Sequence, residues 1–252
     1  MHRSALQITL CTISLAICTS THALSSEEKE PATAPSTESV FETVVVDGLK
    51  DPHRLSVARL QKGVDAFKAN HNFAPKARLR FMAIDAQPTT TPFVLKVEID
   101  GQRTAIAVDT AGLFDLPHLT GNDATNADLV SNRRKGNLRI RPYVATPGFE
   151  GNRRRLGDLR LECAAYWAIR KDDFSLFQKA VVGVVGGACT SPNVTSSYPV
   201  PRKLTSAQLA HGDRIVDVTI KEVGMGFWPP MYDTSWPDDA VVRLTFAEPG
   251  QK

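Results

Sequence analysis

The sequence predicts an α+β fold: an antiparallel sheet or small β-sandwich, an N-terminal helix and a disulfide-stapled helical pair. Three observations predict it. Strand-like alternation punctuated by Asp-Gly runs through the first half, helical apolar spacing appears at about 156–187, and β alternation returns near the C-terminus.

The first 23 residues read as a signal peptide. Arg3 precedes the apolar run Ala5–Cys18, and Thr21-His22-Ala23 follows with small residues at both key positions, so cleavage is expected after Ala23. The run is shorter than the about 20 residues needed to span a bilayer, and no transmembrane segment is expected in the mature chain. Cys18 closes "LAIC", but lipid attachment needs a small residue before the cysteine, and Ile17 is not small. The expected location is periplasmic or secreted. Residues 24–40 hold a polar stretch with two prolines that cannot offset its ordering entropy, hence a disordered linker. Residues 41–252 then form one α+β domain with a helical insertion at about 156–187.

Processing at Ala23 removes Cys11 and Cys18. The remaining Cys163 and Cys189 pair most simply as one disulfide in an exported chain, closing 25 intervening residues and stabilising by roughly 3 kcal/mol. Of 30 basic residues only Arg3 is lost, so 29 face 27 acidic ones. That near-neutral balance gives no argument for nucleic acid.

Within the domain, Phe41–Gly48 reads as a first strand ended by Asp-Gly. The next stretch reads as a helix capped by Asp51 with Pro52 in its first turn, and Val57, Leu60, Val64 and Phe67 on one face. Ala77–Ile84 is a strand. Phe93, Leu95, Val97 and Ile99 alternate up to Asp100-Gly101, and the following residues return as a partner strand. His118–Gly136 reads as a polar loop, and Leu138, Ile140 and Val144 mark another strand. Leu156, Leu159, Cys163 and Tyr166 have helical spacing. Asp172 or Asp173 is the expected cap of a second helix ended by Gly186-Gly187, antiparallel to the first. Residues 212–223 alternate roughly, and Ala240–Phe246 is a final strand.

Asp109-Thr110-Ala111-Gly112 suggests an aspartic protease loop. Such enzymes place glycine directly after the hydroxyl residue and use two aspartates that share a proton. Here Ala111 stands in that place and no second Asp-Thr-Gly exists. A type I turn explains the stretch better, with Asp first and Gly fourth, so Asp109 is expected to cap and Gly112 to twist a hairpin. The series Asp109, Gly112, Phe114, Leu116, Pro117 resembles the hairpin of carboxypeptidase regulatory-like, transthyretin-like β-sandwich domains. The resemblance covers about Phe93–Pro117 and implies an accessory or binding module. The stretch "RRLGDLRLEC" also resembles an uncharacterised exported bacterial family that implies no function.

Two features suggest binding. A basic excess lies between Asn132 and Arg160, chiefly Arg133, Arg134 and Lys135 in "NRRKG" and Arg153, Arg154 and Arg155 in "GNRRRLG". On paired loops these would grip anions; the alternatives are a solvated face or internal partners for Asp158, Glu162 and nearby carbonyls. The second is an aromatic loop with Phe227, Trp228, Tyr232 and Trp236, a contact patch if exposed and a core cover if not. The four mature histidines are scattered, no phosphate-binding glycine loop is present, and Asn193-Val194-Thr195 matches a glycosylation acceptor only formally. No metal and no cofactor are expected. The sequence thus points to an exported, non-enzymatic binding or accessory module of the cell envelope, for an anionic envelope component or a protein partner; the alternative is an envelope hydrolase using Asp109.

Overall fold

A computed structural model describes residues 49–248 apart from 88, 185, 186, 193 and 195. The expected signal peptide, linker and strand Phe41–Gly48 lie outside the described residues, as do Gly186, Asn193 and Thr195. Strand β1 (Pro52–Ser56) leads into helix α1 (Val57–Ala69), followed by β2 (Arg78–Asp85), β3 (Leu95–Ile99), β4 (Gln102–Ile106) and β5 (Leu113–Phe114). Helix α2 (Gly121–Asn126), β6 (Asp128–Arg134), β7 (Leu138–Ala145) and β8 (Arg153–Arg155) come next. Two helices follow, α3 (Leu156–Arg170) and α4 (Leu176–Val184). The rest is β9 (Tyr198–Pro199), β10 (Leu204–His211), β11 (Arg214–Asp217), β12 (Thr219–Lys221), β13 (Gly226–Trp228) and β14 (Val241–Phe246).

The chain is therefore mixed α+β, and among the described residues every strand pair is antiparallel. These residues form four sheets, in the orders β1-β6-β3-β4, β5-β2-β7, β11-β10-β14-β8 and β12-β13-β9. The β3–β4 hairpin turns at Asp100 (φ 48°) and Gly101 (φ 81°), the two left-handed positions that tight hairpins need.

Several expectations need correction. Asp51 does not cap a helix. It sits at φ 60°, and Pro52–Ser56 pairs with β6 before α1 begins at Val57. Pro52–Ser56 finds a partner strand in β6, and that pairing keeps it out of the helix. The stretch read as a polar loop contains β6, a central strand that buries Ser131 and Arg133 beside Leu129 and Val130. Its buried polar residues hid the alternation. Asp109–Gly112 does turn the chain, but it does not close a hairpin with β4. Phe114 and Leu113 pair with Phe81 and Met82 of β2, so the turn carries the chain from one sheet to another. Likewise β13 occupies the start of the stretch read as an aromatic loop, and β10 lies where no element is expected.

Helix α3 runs through all three apolar clusters. Leu156, Leu159 and Cys163 pack with Leu209, Val242, Phe227 and Trp236, Leu161 with Val144 and Ala77, and Ile169 with Leu60, Phe81 and Leu129. It fits closely at two glycines. A Cβ on Gly63 of α1 would come within 2.6 Å of the Ile169 side chain. One on Gly157 would lie 2.2 Å from the Phe73 carbonyl oxygen. The disulfide joins Cys163 to Cys189 with Cα atoms 5.9 Å apart.

Helix α4 departs from the expected packed pair, for none of its residues is buried. Its start is also set elsewhere than at Asp172 or Asp173. Ser175 Oγ accepts the Gln178 amide at 3.2 Å and Gln178 Oε1 accepts the Ser175 amide at 2.8 Å, a reciprocal cap.

Alanine stabilises a helix over glycine by about 1 kcal/mol when exposed, yet both helix glycines here should behave oppositely. Gly157→Ala is expected to lose about 3 kcal/mol or more, since a carbonyl cannot step aside. Gly63→Ala should lose less, because Ile169 can change rotamer. Urea unfolding midpoints test the ranking; equal or raised stability in both would refute the packing described.

Candidate functional site: a buried arginine beneath an apolar groove

Strand β7 pairs with β2 on one side only, so its other edge needs partners. Helix α3 supplies them. Asp158 and Glu162 lie one turn apart on its first turns and both face that edge. Glu162 Oε2 accepts the Val144 amide at 3.1 Å, while Arg154 donates to the Val144 carbonyl at 2.9 Å and to Glu162 Oε2 at 2.7 Å. Asp158 accepts the Thr146 amide at 2.9 Å and its hydroxyl at 2.7 Å. An acid and a base thus do what a neighbouring strand would do. All three charges are buried, Asp158 wholly, Glu162 to 4 % exposure and Arg154 to 5 %.

Burial alone would lower the Arg154 pKa, but Glu162, Tyr143 and Asp158 outweigh it and raise the value. Its guanidinium lies 4.4 Å from the centre of the Tyr143 ring. Burial pushes the Tyr143 hydroxyl up in turn, as it does Tyr198, where the nearby Glu162 charge adds to the effect. The Tyr198 hydroxyl donates to the Leu159 carbonyl at 2.6 Å.

Above this network lies a groove of about 900 Å³. One wall is the outer side of β2 and β5 with Met82, Ile84 and Leu113; the other carries Val200, Phe227, Leu244 and Phe246. Tyr143 and Arg154 also line it. Its exposed charged residues are Arg202, Glu150 and Glu248, so the lining charge is mixed. Four backbone amides along it are bonded internally. Ala83 donates to Gly112, Val200 to Met225, Leu244 to Asn152 and Ala247 to Lys203, all at 2.8–3.0 Å.

The basic residues do not form one surface. Arg133 is buried, bonded to Asp85 at 2.5 Å and to the Thr91 carbonyl at 2.9 Å, and lies over Phe93. Arg134 and Lys135 are exposed at the turn before β7. Arg153 is exposed beside the Phe149 ring, and Arg155 donates to Thr146 Oγ1 at 3.2 Å. The first group precedes Leu138 and Arg154 binds Val144, which puts the length of β7, about 20 Å, between the two groups. A joint anion grip is therefore not built. Arg160 is internal too, holding the carbonyls of Met231, Asp233 and Trp236 and the Asp238 carboxylate.

In the aromatic loop, Trp236 and Phe227 are core residues and Arg214 covers Trp236 at 3.7 Å. Trp228 is half-buried beside Lys221, and Tyr232 is exposed. Asp109 serves its turn. Oδ1 accepts the amides of Ala111 and Leu113 at 2.9 and 2.8 Å, and Oδ2 accepts Arg80 at 2.7 Å. Burial opposes ionisation most, but the Leu113 amide, Arg80 and the Ala111 amide together hold the carboxyl below its usual range. Gly112 is fixed by its φ of +79° and by the Ala83 carbonyl, 2.7 Å from where a Cβ would sit.

Compared with protein-family models, with curated proteins and with solved structures, the chain matches none.

Breaking the buried pair should be severe. Glu162→Ala strands a buried guanidinium and is expected to cost about 3–5 kcal/mol, whereas Glu162→Leu with Arg154→Met should recover part of the loss. A double-mutant cycle showing strict additivity would contradict the pairing. Low pH acts on different groups. Hydrogen bonds from Arg54, then Arg103, hold the Glu98 carboxyl below its usual range, as Asp109 is held. Depressed folded-state values stabilise fully above the ordinary carboxylate range near about pH 4 and fade as pH falls below it. Stability should therefore drop on acidification below that point, and less steeply in Glu98→Gln; an identical pH profile for variant and wild type would refute the assignment.

Proposed function

We propose that the protein is an exported, non-enzymatic binding module of the cell envelope, and that its ligand is elongated, apolar and lipid-like. One observation carries the reading: a large groove with apolar walls, along which the amides of Ala83, Val200, Leu244 and Ala247 are bonded internally. An extended peptide added as a strand needs free amides and carbonyls, and these four amides are already taken. An acyl chain needs only apolar surface, of the volume typical of small-molecule sites. The mixed lining charge favours a neutral or zwitterionic head over a strongly anionic one, and this replaces the anion grip expected of the arginine loops.

The disulfide supports export into an oxidising compartment, and the order of residues 1–23 points the same way. The resemblance of Phe93–Pro117 to transthyretin-like accessory domains also favours binding over catalysis. Hydrolysis at Asp109 is disfavoured because both oxygens are engaged by the turn and Arg80.

Titration with a dansyl-labelled medium-chain fatty acid is expected to give saturable binding. Ala111→Trp or Ala247→Trp, each placing bulk in the groove, should weaken it at least tenfold. Absence of saturable binding, or unchanged binding in both tryptophan variants, would reject the reading.

A further inference from the structure

Helix α4 reads Leu-Phe-Gln-Lys-Ala-Val-Val-Gly-Val. At 3.6 residues per turn, Leu176, Ala180, Val184, Phe177 and Val181 share an arc of about 140°. A surface helix ordinarily turns such an arc inward. Here it faces out: Leu176 is 84 % exposed, Phe177 78 % and Val184 86 %. The half-covered residues are Lys179 and Val182, from the opposite arc. The helix stands without a partner because its ends are held. Ser175 and Gln178 cap it, Asp172 and Asp173 before it pair with Lys62 and Arg59, and the chain after it returns to the disulfide.

The geometry points to α4 as a membrane-contact element that lays this arc on an anionic bilayer surface. Charge selects the bilayer. Around the helix stand Arg59, Lys62, Arg170, Lys171 and Lys179 against Asp172 and Asp173, five cations to two anions, which suits anionic headgroups. Size argues against a second copy. The arc offers five apolar residues on a helix about 13 Å long, against the about 20–30 residues a side of a stable interface. An interfacial helix, by contrast, needs only one apolar side sunk to a depth of about 5–10 Å. No helix among the described residues is long and apolar enough to cross a membrane, so the contact is peripheral.

Vesicle co-sedimentation of the processed chain tests this, with phosphatidylcholine alone and with about one third phosphatidylglycerol. Wild type is expected to bind the anionic vesicles at least tenfold more tightly. The triple variant Leu176→Ser, Phe177→Ser, Val184→Ser should lose at least tenfold, and Lys171→Glu with Lys179→Glu should abolish the preference for anionic lipid. None of these side chains is buried, and circular dichroism confirms that the variants are folded. Ala111→Trp, which fills the groove, should leave vesicle binding unchanged, so this inference and the lipid-like ligand can fail separately. No binding by wild type overturns the proposal, as does full binding by the triple variant or loss of binding in Ala111→Trp. A dimer that the triple variant dissolves, without vesicle binding, assigns the face to a second copy and overturns it equally.

Discussion

The bonding of one strand edge by one helix organises the structure. Among the described residues strand β7 has no strand neighbour beyond Val144 and Thr146, and a bare edge inside a protein is costly. Asp158, Glu162 and Arg154 meet it with a carboxylate for each amide and a guanidinium for the carbonyl. The arrangement fixes where α3 lies, and α3 in turn touches every apolar cluster. Its charges are opposite and adjacent, so the low dielectric that penalises each alone strengthens their attraction. Charge in the centre of this fold is therefore a matter of alignment, because the helix must lie where both carboxylates and the guanidinium meet the strand edge.

The same network shapes the candidate site. Arg154 closes the floor of the groove with its charge already matched by Glu162, so the floor offers flat, neutralised surface in place of an anion trap. The walls come from segments far apart in the chain, Met82–Asp85, Ala111–Leu113, Pro199–Arg202 and Leu244–Glu248. No single stretch of sequence has the look of a binding motif for that reason. Each segment contributes one or two apolar side chains that local pattern assigns to an ordinary strand.

What the sequence discloses follows from how local each feature is. The β3–β4 hairpin is legible because Asp100-Gly101 and the flanking alternation lie within a dozen residues. The face of α3 and the disulfide are legible through spacing and cysteine number. β6 is not, because its burial of Arg133 depends on Asp85 and Thr91, which only the fold brings near. The sheet change after Asp109 is equally hidden, since the turn chemistry is the same whichever strand lies ahead. Periodicity finds the apolar side of α4 but says nothing about which way it points. Arginines in clusters look like a surface feature until their partners are known, and Arg133, Arg154 and Arg160 all turn out to be internal.

The segment from Asp172 to Cys189 has a further meaning. It leaves α3 at an ion-paired corner and rejoins it covalently, while the helix between contributes nothing to the interior. Residues on its outer arc are under no packing constraint, so their identity is set by whatever they meet outside. The fold thus separates what must be kept from what is free to change. A lineage carrying this scaffold can retarget the protein to a new surface by rewriting the outer arc of α4, with the foundations of the molecule untouched.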